Sequence, residues 1–279
     1  MNPLISRATQ RALLLLCGVL APRYSLAAET CRFAGTTDYA GQVTATATAA
    51  PAGDATRIDV AVTFDATSPL WLHMHYLVEE TSLWRNGKLL DLALNTRYLF
   101  AGHVVRQQWD TFDRTPDGLL AHRIEGKRPA EFRGHFPRFA DHWDLAAFGL
   151  PWLDDYAKAQ PDRRPDLDLS HVPPNAAVQS PLALAFYWVR FLHPGAQHAQ
   201  VFLPGFKADK LADLALTPAG HQWRGQFHHP YLHETPPSTA TAQLSPDGHL
   251  QHLSFMLHAT AGSAGGSLDQ TGCQGSPPR

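Results

Sequence analysis

From Val43 to Ile124 apolar and polar residues alternate with a period of two, and this restricts the chain to a sheet with one greasy face. Ile58, Val60, Val62 and Phe64 alternate with Asp59, Ala61, Thr63 and Asp65, the pattern of a half-buried strand. Upstream, Val43 to Ala49 alternates threonine with small apolar residues, and Pro51 to Asp54 separates the two runs as a hairpin connection. A second hairpin places Leu72, Met74, Tyr76 and Val78 on one face of a strand from Leu70 to Trp84. Asn86-Gly87 readily supplies the two positive φ angles of a type I′ turn, after which Leu90, Leu92 and Leu94 resume the alternation. The pattern continues through Val105, Gln107 and Trp109, turns between Asp113 and Gly118, and runs on from Leu119 to Ile124. Turns this short join antiparallel neighbours and cannot make parallel crossovers. The expected fold is therefore mainly β, an antiparallel meander.

Periodicity disappears between Gly126 and Asn175, where prolines, tryptophans and acids accumulate in Asp141-His142-Trp143-Asp144 and Leu150-Pro151-Trp152-Leu153-Asp154-Asp155. Structureless connections of this length are unusual in a compact domain. The segment 126–175 is read as an irregular cover with short helical turns, held by Trp143, Phe148 and Trp152. Ser180-Pro181 then has the form of an N-cap followed by proline at the first helical position, and Leu182 to Leu192 is apolar almost all round, which predicts one buried helix of about three turns. A central strand competes with that reading, because Phe186, Tyr187, Trp188 and Val189 favour sheets. Strand-like runs recur at Val201 to Leu203, Lys210 to Thr217, Gln222 to Phe227, Thr239 to Leu244 and His249 to His258, with Pro246-Asp247-Gly248 as a turn. The tail 262–279, rich in glycine and serine, is expected to be loosely ordered apart from Cys273.

The amino-terminal segment carries Arg7 and Arg11, an apolar run from Ala12 to Ala21 and the small-residue stretch Ser25-Leu26-Ala27-Ala28, the shape of a secretory signal peptide. Its apolar run is about half of the roughly twenty residues that span a bilayer, so cleavage after Ala27 is expected rather than a permanent anchor. A lipid attached at Cys17 is the alternative, disfavoured by Leu16 where a small residue belongs. Residues 28–279 then form a single domain in the periplasm, with no later segment of membrane length. Loss of Cys17 leaves Cys31 and Cys273, which should pair in an oxidising compartment. Closing so long a loop stabilises by about 5 kcal/mol in the chain-entropy model.

The formal net charge is −2, with Lys+Arg 23 and Asp+Glu 25, and neither sign is gathered in a long run. This argues against nucleic acid or an anionic membrane surface as the main partner.

Two stretches resemble families of exported bacterial proteins known only as domains of unknown function. Leu83-Trp84-Arg85-Asn86-Gly87-Lys88-Leu89 resembles their Trp-Arg-x-Gly-x-Leu hairpin. Ser180 through Leu192, then Pro194-Gly195 and Ser245-Pro246-Asp247-Gly248-His249-Leu250, is similar to their helix, strand and closing hairpin. The resemblance implies an exported curved antiparallel sheet with a helix against it, similar to lipid-carrier or lipocalin-like half-barrels. It brings no activity and no catalytic residues, and the long segment 126–175 departs from the families' shorter forms.

Among groups that carry chemistry, His73-x-His75 sets two imidazoles on one face of a strand at a spacing that suits zinc or copper, with Glu79 on the same face and His228, His229 and His233 possible from another strand. No HExxH, Cys-x-x-Cys or aspartate-rich loop accompanies them, and surface or aromatic-packed histidines are the plain alternative. Glu79-Glu80 and Asp154-Asp155 invite comparison with glycosidase carboxylates, but neighbours on a strand point to opposite faces, so neither doublet is a catalytic pair. Gly262-Ser263-Ala264-Gly265 lacks the strand-to-helix context of a nucleophile elbow. No cofactor motif is present. A curved sheet bearing Trp71, Leu72, Met74, Tyr76, Trp84 and Trp109 beneath a lid with Trp143 and Trp152 suits an apolar or amphipathic ligand. An ordinary close-packed core is the competing reading, and would leave a role in binding another envelope protein. Non-catalytic binding is the expected function.

Overall fold

The computed structural model of the protein describes residues 28–38, 41–67, 73–100, 103–115, 118–125, 163–167, 178–191, 198–201, 212–228, 236–259 and 262–275. The amino-terminal half contributes β1 (Glu29–Thr37), β2 (Gly41–Ala52), β3 (Ala55–Thr67), β4 (His73–Arg85), β5 (Lys88–Phe100), β6 (His103–Thr115), β7 (Gly118–Glu125) and β8 (Arg163–Leu167). Then come β9 (Val178–Gln179), α1 (Pro181–Phe191), β10 (His198–Val201), β11 (Ala212–Ala219), β12 (Gln222–His228), β13 (Ser238–Leu244), β14 (Leu250–Ala259) and β15 (Gly262–Gln274).

Among the described residues all fifteen strands belong to one sheet, in the order β8-β7-β6-β5-β4-β3-β2-β1-β15-β14-β13-β12-β11-β10-β9. Every pairing is antiparallel except β9 with β10, which run parallel at the far edge. Each half is thus a meander, and the halves meet where the chain's two ends pair, β1 against β15. The sheet is open and curved, and β9 comes back against β5. Among the described residues the expected mainly β fold with one buried helix is the observed one.

The alternation read from the sequence sets the inner face. Val43, Ala45, Ala47 and Ala49 of β2 lie opposite Phe64, Val62, Val60 and Ile58 of β3, and these pair on with Tyr76, Val78, Glu80 and Ser82 of β4. From the other half Leu214, Leu216, Ala242, Leu253 and Leu268 join the same buried cluster. Both halves close on α1: Ala183, Leu184, Phe186 and Tyr187 are buried, and the Phe186 ring lies 4.9 Å from that of Phe33 on β1.

The Asn86-Gly87 turn forms as read, with φ of 51° and 72°. The next residues depart from expectation. Trp84 pairs with Leu89 and Leu83 with Asp91, so Leu90 is the extra residue of a β-bulge. Leu89 takes the buried place assigned to Leu90, and Leu92 and Leu94 keep theirs.

The stretch 181–191 is a helix and not the competing strand, interrupted at Tyr187, where φ and ψ are −124° and 27°. The expected loose tail is corrected too, because Gly262–Gln274 is a full strand bonded to β14 and β1. Its glycines serve close packing: a Cβ on Gly266 would sit 2.7 Å from Phe255 Cζ and 2.9 Å from the Thr36 carbonyl oxygen. The irregular cover expected over 126–175 lies outside the described residues except for β8, which makes that part of it a strand. The leader 1–27 also lies outside them.

Candidate functional site

Three side chains of β4, Glu80, Ser82 and Trp84, stand in a row on the concave face. Glu80 is 1% exposed and lies under the first turn of α1. One carboxylate oxygen accepts from the Ser180 hydroxyl and, at 3.1 Å, from the Ala183 N–H. The other accepts from the Leu182 N–H at 3.1 Å. Ser180 is also an ordinary N-cap, accepting from the Ala183 N–H at 3.1 Å. The helix carries no acidic residue in its own first turn. Its N-terminal partial charge is met instead by a carboxylate from the sheet. Burial pushes the Glu80 carboxyl up from 4.5 to about 6, outweighing hydrogen bonds from Ser180, Leu182, Ala183 and Ser82 that act the other way. Beside it the Trp84 indole N–H donates to Ser82 Oγ at 2.9 Å.

Toward the other end of the same strands Phe64 and Tyr76 face one another with ring centroids 5.8 Å apart, both half-buried. Apolar side chains left partly open on a concave face are what a ligand of low polarity meets.

The opposite face of β4 to β6 is buried as well, and it is polar. Glu79, Asn95 and Trp109 lie in register across the three strands, with Arg97 opposite Gln107 beside them. The Gln107 amide lies between Asn95 and Arg97; turned with its oxygen toward Arg97 it accepts from Nε at 3.1 Å and Nη2 at 3.2 Å, and turned the other way it donates to Asn95 Oδ1 at 3.0 Å. Glu79 and Glu80 thus stand on opposite sides of the sheet, as expected for neighbours on a strand.

Among the described residues, two of the sequence-predicted ligand-binding residues part company. Trp84 is inside and Trp109 outside, so the two indoles do not line one pocket; period two puts even and odd residues of paired strands on opposite faces. Met74 shares the Tyr76 side by backbone register. Trp71, Trp143 and Trp152 lie outside the described residues. His73 precedes His75 by two residues on β4, and His75 Nδ1 is engaged by Asp65 on β3. Glu79 is four residues from His75, about 13 Å along a strand, too far to complete a mononuclear site with it. His229 and His233 lie outside the described residues.

Cys31 and Cys273 are directly opposite across the β1/β15 seam and form the expected disulfide, 242 residues apart in sequence. Among the described residues, a group that could hold a metal is Cys31, His249 and Cys273. With the sulfurs bonded to each other, only the imidazole remains to coordinate. Among the described residues no helix is long and apolar enough to cross a membrane.

Sequence reasoning set Glu80 aside as half of a non-catalytic doublet and did not single out His249. The signal for Glu80 was an acid at an inward position between Val78 and Trp84. For His249 there was none, because its neighbours come from two separate strands and a turn.

The class defined here is architectural: an open, curved antiparallel sheet, barrel-like, wrapped around one helix whose N-terminus is capped by a sheet carboxylate. No protein-family model and no curated protein matches the chain. Among solved structures it is similar to the beta-barrel-like protein of domain of unknown function DUF1849 from Brucella abortus, with 8% identity and a TM-score of 0.48 over 90% of this chain and 98% of that one.

Proposed function

We propose that this protein is exported to an oxidising compartment, the periplasm, and there binds an apolar or amphipathic molecule on the concave face of its sheet without transforming it. The observation that carries the reading is the half-open Phe64–Tyr76 pair, on the same face as an otherwise closed core. The leader-like segment 1–27 and the disulfide support the compartment. Glu80, the buried acid with the raised pKa that would attract a catalytic assignment, already has its oxygens committed to the helix N-terminus.

Native mass spectrometry of protein purified from its own host tests this reading. A co-purified lipid or other amphiphile, lost in a Phe64→Ser/Tyr76→Ser double variant that remains folded, is the expected result. Protein that carries no organic molecule and takes up no fluorescent fatty-acid analogue would overturn it. A bound transition metal would move attention to His73 and His75, and a co-purified envelope protein to a docking role.

A further inference from the structure

We propose that Cys31–Cys273 is an exchange site, a disulfide built to be opened by an external dithiol, with His249 as its proton donor. The two sulfurs differ in access: Cys31 is 4% exposed whereas Cys273 stands on the surface. An incoming thiolate therefore meets Cys273 Sγ, and Cys31 is the leaving sulfur.

The surroundings suit that direction. In thiol–disulfide exchange negative charge spreads over the attacking, central and leaving sulfurs. The Gln270 side-chain N–H donates to the central one, Cys273 Sγ, at 2.8 Å. A ring nitrogen of His249 lies within 4.8 Å of both sulfurs. The ring lies between two carboxylates, Nδ1 3.3 Å from Glu29 Oε1 and Nε2 3.3 Å from Asp247 Oδ2, which keep it beside the disulfide. Glu29 is buried two residues from Cys31 on β1, and Asp247 is fixed by the Ser245 hydroxyl in the β13–β14 turn. A staple with no other duty needs neither an imidazole at its buried sulfur nor carboxylates to aim one.

The step balances as follows. The thiolate of the dithiol forms a sulfur–sulfur bond to Cys273, the bond from Cys273 to Cys31 breaks, and its electron pair goes to Cys31, which takes a proton from His249. The second thiol of the same reagent, as thiolate, attacks its own sulfur in the mixed disulfide and releases Cys273 as thiolate. Two electrons have then passed from the dithiol, now oxidised, to the protein. The seam between the two halves of the sheet keeps its backbone pairing and loses its covalent tie.

Two measurements on the native full chain test the proposal. The rate of reduction by dithiothreitol should rise in proportion to reagent without a ceiling, and His249→Gln should slow it by about tenfold or more. A rate that levels off at the global unfolding rate, or one unchanged in His249→Gln, overturns the proposal. Brief exposure of the wild-type protein to glutathione followed by acid quench and mass mapping should find the mixed disulfide on Cys273, a readout that does not depend on any variant folding. Adducts on Cys31, or none, overturn it equally.

Discussion

Glu80 in the middle of β4 accepts the hydroxyl hydrogen of Ser180, 100 residues further along the chain, inside the core. That contact fixes where the helix enters the curved sheet. Two backbone N–H groups of its first turn end on the same carboxylate.

Glu80→Ala should therefore lower the unfolding free energy by about 3 kcal/mol, because it strands the Ser180 hydroxyl and the Leu182 N–H without an acceptor. Glu80→Gln should cost less, since its amide oxygen keeps one acceptor in place. Urea denaturation of both variants reads the difference, and equal losses would mean that the site needs charge and not acceptors.

The same residue sets a pH dependence. A folded-state pKa raised from 4.5 to about 6 means that the native state holds the proton more tightly than the unfolded chain. The stability it contributes is fully present below the unfolded value and is lost as pH rises through about 6, a span of about 2 kcal/mol. Wild type should thus lose about that much relative to Glu80→Gln between weakly acidic and neutral solution. Parallel stability–pH curves for the two proteins would show that the carboxyl is not the titrating group.

Gly35 and Gly272 lie on the two strands of the seam and should respond oppositely to alanine. A Cβ at Gly35 would fall 1.7 Å from the Ser267 carbonyl oxygen, a backbone atom that can move only by parting β1 from β15. At Gly272 nothing lies within 4 Å. Gly35→Ala should cost about 3 kcal/mol or prevent folding, and Gly272→Ala should leave the melting curve nearly unchanged. Similar losses at both positions would contradict the pairing of β1 with β15.

Trp84→Ala should remove about 3–5 kcal/mol, since the indole is 1% exposed and its N–H is bound to Ser82. It should also loosen the Asn86-Gly87 hairpin, which amide hydrogen exchange across Leu83 to Leu89 would report as faster exchange there than elsewhere. An unchanged midpoint would place the ring on the surface.

Much of the amino-terminal half was legible because its strands are long, alternating and joined by turns with their own chemistry, as Asn86-Gly87 shows. The helix was half legible. Ser180-Pro181 announced its start, while the aromatic and β-branched run from Phe186 to Val189 argued for a strand and lost to a buried cap that no local window contains. The bulge at Leu90 could not be read, since leucines at 89 and 90 suit either register and only the partner strand chooses. β15 was missed because glycine and serine carry no hydrophobic period, and its burial comes from neighbours on both sides.

The candidate site was less legible than the fold. Trp84 and Trp109 read alike as large inward aromatics, yet the face each occupies follows from strand pairing across β4, β5 and β6. His75 read as a metal ligand beside His73, and the partner of its Nδ1, Asp65, comes from the next strand, which no local window shows.

Alternation, turn residues and two well-placed cysteines were enough for the sequence alone to determine an antiparallel sheet with a greasy inner face, a helix and a tie between its ends. These are properties of short windows or of simple pairing. Tertiary structure decided that Glu80 caps the helix, that the glycine-rich end completes the sheet beside β1, and that His249 sits at the disulfide between Glu29 and Asp247. Each joins residues distant along the chain, and burial and register, which exist only once the sheet has curled, choose among the partners the residues could have had.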